Sequence, residues 1–253
     1  MTTWILLRGL MRESRHWGDF PKQFRNVISA DQVITLDFPG NGSLFVKDSF
    51  GSVAEMANYC RTHLKQMGIQ PPYHVLALSL GAMVAIEWSE QYPGDFERLV
   101  LINTSLAPHN PFYHRLRPEN YPALFRFLIR GSIIQRERLI LQLTSAEKRT
   151  SLQQHSLLEK WASYAQDCPV SRANILRQLR AAITYRAKPN RPQIPLLLLA
   201  GQQDRLVNVK CSLYLAERWS IPIKLHPTAG HDLPLDDGEW VSCQTKMWLD
   251  QIE

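Results

Sequence analysis

Short apolar runs separated by amphipathic stretches are the dominant pattern of this 253-residue chain. Runs of this kind are typical of strands covered on both faces, and their alternation with helical stretches indicates a parallel sheet. Strands are predicted at Ile5–Leu7, Val33–Leu36, His74–Ser79, Leu99–Asn103, Pro195–Ala200 and Ile223–His226. Helices are predicted at Phe20–Ser29, Val53–Met67, Leu80–Tyr92, Lys210–Trp219 and Glu239–Ile252. The pattern therefore predicts an α/β fold with a mostly or entirely parallel sheet of about six strands.

The alternation stops between Thr104 and Arg191, where helical patterns continue without a convincing strand. This stretch opens with a proline- and aromatic-rich run at Pro108–Tyr121. We predict a helical insertion that leaves the sheet after Asn103 and returns at Ile194, since a long excursion from a compact domain is usually a functional lid. The predicted units are a core domain at 1–104, a helical cap at 105–191 (the insertion) and the rest of the core at 192–253.

Composition is that of an ordinary globular protein, with 45% hydrophobic and 21% charged residues. The net charge of +6 is concentrated, because residues 112–191 carry 15 Lys/Arg and 5 Asp/Glu. These basic residues are spread among leucines rather than clustered, so no nucleic-acid partner is predicted. They form either a solvated outer face or an entrance that attracts anions.

The chain opens with only four consecutive apolar residues before an arginine, too few for a signal-peptide core, and no later run approaches the length of a membrane span. The four cysteines are widely scattered and include no Cys-x-x-Cys pair, which is typical of thiols in a reducing compartment. The expected location is cytoplasmic.

A short apolar strand ends at Ser79, and a helical stretch begins directly after it at Leu80. Small residues at Ala77 and Gly81 allow the close approach that a sharp strand-to-helix turn requires. Such a turn exposes the serine hydroxyl and leaves the N–H of Leu80 at a helix N-terminus, where an oxyanion would form. We therefore predict Ser79 as a nucleophile and the Leu80 N–H as one oxyanion donor.

An acid and a histidine follow in the order that such a serine requires. Asp204 lies just past the fifth predicted strand and His231 follows the sixth, at the sheet edge where catalytic groups of α/β proteins gather. His231 would act as general base toward Ser79, and Asp204 would orient the imidazole. The second oxyanion donor is predicted to be the N–H of Leu10, in the loop Arg8–Met11 after the first strand.

Other polar residues near these positions have structural interpretations. Asp232, Asp236 and Asp237 lie too close to His231 in sequence to orient its ring, and we interpret them as loop or surface carboxylates. Asn103 follows the fourth strand, which excludes an alternative acid there. The remaining histidines form no pair with metal-ligand spacing, so neither a metal nor a cofactor is predicted.

Together these motifs resemble the α/β-hydrolase superfamily. The matching pieces are Leu-Leu-Arg-Gly at 6–9 with Trp17 following, Leu-Asp-Phe-Pro-Gly-Asn-Gly at 36–42, Leu-Ser-Leu-Gly-Ala-Met-Val-Ala at 78–85, Ala-Gly-Gln-Gln-Asp at 200–204 and Gly-His-Asp at 230–232. The layout is similar to the small lid-bearing bacterial carboxylesterases. The resemblance implies an α/β-hydrolase fold with an inserted helical cap.

Two positions depart from the usual pattern of that superfamily. Ala77 replaces the first glycine of the Gly-x-Ser-x-Gly motif, and Arg8 replaces the histidine of the His-Gly pair. Arg8 could bind an anionic substrate group, or it could pair with a carboxylate such as Asp37. Arg8 and Trp17 are the two residues for which we predict a substrate-binding role.

The sequence thus predicts a serine hydrolase that cleaves a carboxylic ester or thioester through an acyl-enzyme intermediate. The expected partner is a small-molecule ester or thioester, with anionic and carrier-linked substrates among the options. Two alternatives remain: a carbon–carbon bond hydrolase or lyase with the same triad, and a non-catalytic binding protein on a hydrolase scaffold. The oligomeric state does not follow from the sequence.

Overall fold

The computed structural model describes residues 2–129 and 131–252, so Met1, Arg130 and Glu253 of the predicted units lie outside the described residues. Six strands form one sheet: β1 Thr3–Leu7, β2 Gln32–Leu36, β3 Tyr73–Leu78, β4 Phe96–Ile102, β5 Leu196–Gly201 and β6 Ile223–His226. Their order across the sheet is β2-β1-β3-β4-β5-β6, and every neighbouring pair is parallel. The predicted parallel α/β architecture is confirmed, and the strand ends differ from the prediction by at most three residues.

Helices cover both faces of this sheet. They are α1 Phe20–Ile28, α2 Val53–Gln66, α3 Leu80–Gln91, α4 Phe112–Arg115, α5 Tyr121–Ile129, α6 Ile133–Thr144, α7 Ser151–Asp167, α8 Arg172–Thr184, α9 Lys210–Trp219 and α10 Leu233–Ile252. One apolar cluster joins the sheet to α2, α3 and α9, and a second joins it to α1 and α10. In the described ranges, no helix is both long and apolar enough to cross a bilayer.

The last helix begins at Leu233 instead of the predicted Glu239, and it is broken at Asp237, whose φ of −156° and ψ of 79° are not helical. The apolar spacing on which the prediction rested describes only the second part. The first turn packs Leu233 and Leu235 against apolar residues of the core and of the insertion, respectively. Tertiary packing therefore adds a turn that the local pattern does not indicate.

Five helices, α4 to α8, occupy the chain between β4 and β5. The two ends of this helical segment lie side by side. A parallel bridge pairs Ala107 with Arg186, and the N–H of Ala187 donates to Ala107 O at 2.8 Å. Helices α6 and α7 share a small apolar cluster around Leu141 and Trp161. The role of these helices as a cap over the site stays a prediction.

Candidate active site

Ser79 occupies the sharp turn between β3 and α3. Its φ of 57° and ψ of −114° lie outside the regions that a non-glycine residue normally adopts. A conformation of this kind costs about 1–3 kcal/mol and persists only where the surroundings hold it. Its N–H donates to Ile102 O at 3.0 Å, and its carbonyl accepts the first helical bonds of α3 from Ala82 and Met83. The backbone thus has the strained strand-to-helix turn that the sequence predicts.

Two glycines bring the loop after β1 against this turn. A Cβ on Gly81 would lie 2.6 Å from Leu7 O and 2.7 Å from Arg8 O, which shows how closely α3 approaches the end of β1. A Cβ on Gly9 would lie 3.2 Å from the Cβ of Ser79. The predicted donor Leu10 therefore follows a residue whose backbone lies close to the serine.

His231 and Asp204 form a buried pair. The Nδ1 of His231 lies 2.7 Å from Asp204 Oδ2, and the two residues are only 4% and 2% exposed. The other carboxylate oxygen of Asp204 accepts the N–H groups of Leu206 and Val207 at 2.8 and 2.9 Å. Because a carboxylate oxygen accepts the hydrogen bond from Nδ1, that nitrogen carries a proton, and in the neutral ring Nε2 has a free lone pair.

Opposing effects act on the His231 imidazole. Burial lowers its pKa, whereas the Asp204 charge, the hydrogen bond to Asp204 and the nearby Asp232 charge raise it. Together, the interactions that raise the pKa outweigh the lowering by burial, so the pKa of His231 lies above its ordinary value. The ring is therefore more basic than an ordinary histidine, and a general base works best when its pKa lies near the working pH.

Asn103 fastens the predicted serine and histidine segments to one another. Its Nδ2 donates to the carbonyls of Gly230 at 3.0 Å and His231 at 2.7 Å, while its Oδ1 accepts the N–H of Gly201 at 3.0 Å. The preceding residue, Ile102, accepts the N–H of Ser79. Sequence reasoning used Asn103 only to exclude an acid there. The local sequence does not reveal that Asn103 has a φ of 46°, although asparagine adopts this left-handed conformation more readily than most residues.

Ser79 and His231 are not hydrogen-bonded to each other in this structure, although both are among the described residues. Catalytic hydrogen bonds are often long or poorly aligned without substrate. The assignment of the triad and of the two oxyanion donors stays a prediction, which the pairing of Asp204 with His231 supports.

Arg8 has a partner that the sequence did not indicate. Its guanidinium forms two hydrogen bonds to the Asp232 carboxylate, at 3.0 and 2.6 Å, and lies 4.6 Å from the centre of the Trp17 ring. The suggested alternative partner, Asp37, instead accepts the N–H and hydroxyl of Ser14, both at 2.7 Å. Arg8 is 2% exposed, so its charge is already neutralised inside the protein. This geometry supports the structural option for Arg8 over substrate binding.

Asp232 lies in the loop between β6 and α10, as predicted, but its side chain is only 4% exposed and is not at the surface. For Asp236 the interpretation as a loop or surface carboxylate is wrong, because it lies in α10 and its side chain is only 2% exposed. Asp236 accepts the hydroxyl of Ser145 and the N–H groups of Ala146 at 2.9 Å and Gly230 at 2.7 Å. It thereby ties the segment after α6 to the loop that carries the histidine. Local sequence shows only a polar run, and the partners come from distant parts of the chain.

Trp17 lines a cavity of about 180 Å³ between the loop after β1 and helix α7. Neither Ser79 nor His231 lines this cavity, so its size does not identify it as the site of chemistry. The buried pair of Asp204 and His231 locates the candidate active site instead. Among the described residues, no group of three or more His, Cys, Asp or Glu side chains could hold a metal ion.

Comparison with known proteins agrees with this fold. A profile of the alpha/beta hydrolase family matches residues 4–242, so the chain belongs to the alpha/beta hydrolase family. It is thus a member of a family of hydrolases, and the predicted fold class is confirmed. No curated protein matches the chain.

Solved structures with the same fold carry several different activities. The 2-hydroxy-6-oxo-6-phenylhexa-2,4-dienoate hydrolase from Rhodococcus sp. strain RHA1 is 17% identical, with a TM-score of 0.79 over 98% of this chain and 90% of that one. A thermophilic esterase from Thermogutta terrifontis is 18% identical, with a TM-score of 0.74 over 100% and 90%. A hydrolase from Pseudomonas aeruginosa PA01 is 17% identical, with a TM-score of 0.75 over 98% and 89%. At these identities the likeness extends to the fold alone.

Proposed function

We propose that this protein is a serine hydrolase that cleaves a carboxylic ester or thioester through Ser79, His231 and Asp204. The observation that carries the proposal is the buried hydrogen bond of 2.7 Å between His231 and Asp204, at the same edge of the sheet as the strained Ser79 turn. A buried imidazole paired with a carboxylate, at the sheet edge that also carries a serine on such a turn, favours nucleophilic catalysis.

In the proposed reaction, His231 Nε2 takes the hydroxyl proton of Ser79 while the serine oxygen attacks the substrate carbonyl. The N–H groups of Leu10 and Leu80 stabilise the negative oxygen of the tetrahedral intermediate. The imidazolium then protonates the departing alcohol or thiol, and an ester of Ser79 remains. Water, deprotonated by the same imidazole, attacks that ester, releases the carboxylic acid and restores the serine.

Several features of the structure support these roles. In the described chain, the N–H groups of Leu10 and Leu80 donate to no other group and remain available for an oxyanion. Asp204 is held by two backbone N–H groups, so its carboxylate stays aligned with the imidazole. Since His231 is less than a tenth exposed, its charge interactions are weakly screened by water.

The substrate class is the less constrained part of the proposal. Many basic residues of the insertion already have structural partners; for example, Arg177 pairs with Asp48, and Arg115 donates to Ala182 O at 2.7 Å. Others, such as Arg138 and Lys160, are exposed. An exposed basic face favours anionic or carrier-linked esters, provided that it borders the entrance.

The carbon–carbon alternative uses the same residues and predicts slow turnover of simple esters. It draws support only from a shared fold with the Rhodococcus dienoate hydrolase, so we rank it second. A non-catalytic binding protein would be expected to lack a member of the triad, and Ser79, Asp204 and His231 are all present.

Labelling with a fluorophosphonate probe, combined with a p-nitrophenyl ester chain-length series, tests the proposal. Ser79→Ala should abolish labelling and lower turnover by about three or more orders of magnitude while the fold is kept. Ser89→Ala is the matched control, because Ser89 lies on α3, the helix that follows Ser79, and is buried, with its hydroxyl donating to Ile86 O at 2.8 Å. It should keep wild-type labelling. Stoichiometric labelling of Ser79→Ala would refute the nucleophile.

A further inference from the structure

The loop that supplies one predicted oxyanion donor is a turn in an unfavourable conformation. Leu10 and Met11 are its central residues, and the N–H of Arg12 closes it by donating to Gly9 O at 3.3 Å. Met11 has a φ of 60°, a left-handed value that side chains with a Cβ rarely adopt. In turns of this kind that position is normally filled by glycine or asparagine. Without other contacts, rotation of the peptide between Leu10 and Met11 into the commoner turn type would lower the free energy of the turn.

One buried side chain from the insertion opposes that rotation. Gln178 on α8 is 0% exposed, and its Oε1 accepts the N–H of Met11 at 2.9 Å. Its Nε2 donates to Asn41 Oδ1 at 2.8 Å and to Ser49 Oγ at 2.9 Å. All of its polar atoms are therefore used, and the side chain has no freedom to follow the loop. Rotation of the peptide would break the hydrogen bond from the Met11 N–H and leave the oxygen of the fully buried Gln178 side chain without a partner.

The insertion also holds the next residue of the same turn. Arg12 pairs with Glu137 on α6 at 2.6 Å, and its guanidinium lies 4.3 Å from the centre of the Trp161 ring on α7. Arg12 and Glu137 are both buried. The carbonyl of Arg12 accepts from Asn41 Nδ2 at 3.1 Å, and Asn41 in turn accepts from Gln178. The turn is thus anchored by residues that lie more than a hundred positions away in the sequence.

We propose that Gln178 is a positioning residue of the oxyanion hole. By accepting the N–H of Met11, it fixes the strained turn at 9–12 in place, and with it the position of the N–H of Leu10, which belongs to the preceding peptide and is predicted to face the oxygen that forms at Ser79. The inference rests on the proposed function and deepens it, because it gives the insertion a part in transition-state stabilisation as well as any part in covering the site.

The decisive comparison is between Gln178→Met and Asn174→Leu. Asn174 lies one turn earlier on α8 and is 2% exposed; it accepts the N–H of Ser49 at 2.9 Å and donates to Lys47 O at 2.9 Å, but it does not touch the turn at 9–12. Both variants leave a backbone N–H without its side-chain acceptor, so both should lower the thermal midpoint. Only Gln178→Met should lower kcat for a p-nitrophenyl ester, by about 10- to 100-fold with little change in KM, because misaligning a donor costs less than removing one.

Two further variants keep the proposal testable if Gln178→Met folds poorly. Gln178→Glu retains an acceptor for the Met11 N–H but puts a carboxylate oxygen where the amide donates to Asn41 and Ser49, so its thermal midpoint should fall while it keeps most of kcat. Met11→Gly removes the conformational penalty of the turn, because glycine adopts positive φ freely. In the double variant with Gln178→Met, it should restore part of the lost kcat.

The outcomes separate this inference from the proposed function. If Ser79→Ala abolishes activity but Gln178→Met loses no more kcat than Asn174→Leu, the positioning role is refuted and the serine hydrolase stands. An equal loss in Gln178→Glu and Gln178→Met, or no recovery with Met11→Gly, would also refute it. Persistent labelling of Ser79→Ala would instead overturn the proposed function itself.

Discussion

The buried pair of Arg8 and Asp232 gives the sharpest test of the structure, through the variant Asp232→Asn. The substitution keeps the shape of the side chain and removes its charge. Arg8, 2% exposed, would then be left as a buried cation facing a neutral amide and the Trp17 ring. Because arginine stays protonated under all ordinary conditions, the protein cannot relieve this by losing a proton.

The magnitude follows from the burial. Removing one partner of a buried ion pair costs about 3–5 kcal/mol, because the other charge has no compensation and little water. For a chain of this size, where 1 kcal/mol shifts the midpoint by about 2–4 °C, the thermal midpoint should fall by about 6–20 °C. The double variant Arg8→Met/Asp232→Leu should recover most of that loss, because no charge remains inside.

A second pair with the same geometry serves as the control. Arg177 binds both oxygens of Asp48, at 2.7 and 3.1 Å, but the two side chains are 38% and 79% exposed. Breaking an exposed pair costs about 0–1 kcal/mol, so Asp48→Asn should shift the midpoint little. Urea unfolding of all variants gives the free energies. Equal effects of Asp232→Asn and Asp48→Asn would refute the argument that burial decides the cost.

Two predictions concern the proposed chemistry. His231 must be neutral to act as a base, and its pKa is raised, so the acid limb of the kcat/KM pH profile should lie above the ordinary histidine value of 6.5. In Asp204→Asn, the acid limb of the residual activity should move to lower pH. An unchanged acid limb would contradict the assignment. The same raised pKa stabilises the fold fully below pH 6.5, and this contribution is lost as the pH rises through the folded-state pKa. If the basic residues at 112–191 border the entrance, anionic esters should have higher kcat/KM than neutral esters of equal chain length. That advantage should shrink as the Debye length falls from about 30 Å at 0.01 M salt to about 10 Å at 0.1 M; equal rates at both salt levels would leave the charge as a solvated face.

The elements of the core could be predicted because their signals are local. Each strand is a continuous apolar run that must be covered on both faces, and this requirement is independent of what covers it. The turn at Ser79 was predictable for a similar reason, since small residues on either side of a serine between a strand and a helix allow only a few backbone paths. The parallel arrangement then brought Asp204 and His231 to one edge of the sheet.

The polar connections were not predictable, because their partners are remote in sequence. Nothing near Asp232 indicates that Arg8, 224 positions away, neutralises it inside the protein. A run of aspartates after a histidine has the composition of a surface loop, and only the chain packed around it decides otherwise. The burial of Asp236 under the segment after α6 has the same origin.

By itself, the sequence determined the alternation of strands and helices, the interruption of the sheet by helices between β4 and β5, and the order of the three residues proposed for catalysis. Only the tertiary structure decided which charges are buried and which turn is held in a strained conformation. Gln178 shows the difference most clearly: on its own helix it is an unremarked glutamine, and its contact with Met11 exists because α8 packs against a loop 167 residues earlier. Apolar burial follows from a residue's own chemistry, whereas the free energy of a buried polar group depends on the partner that folding brings to it.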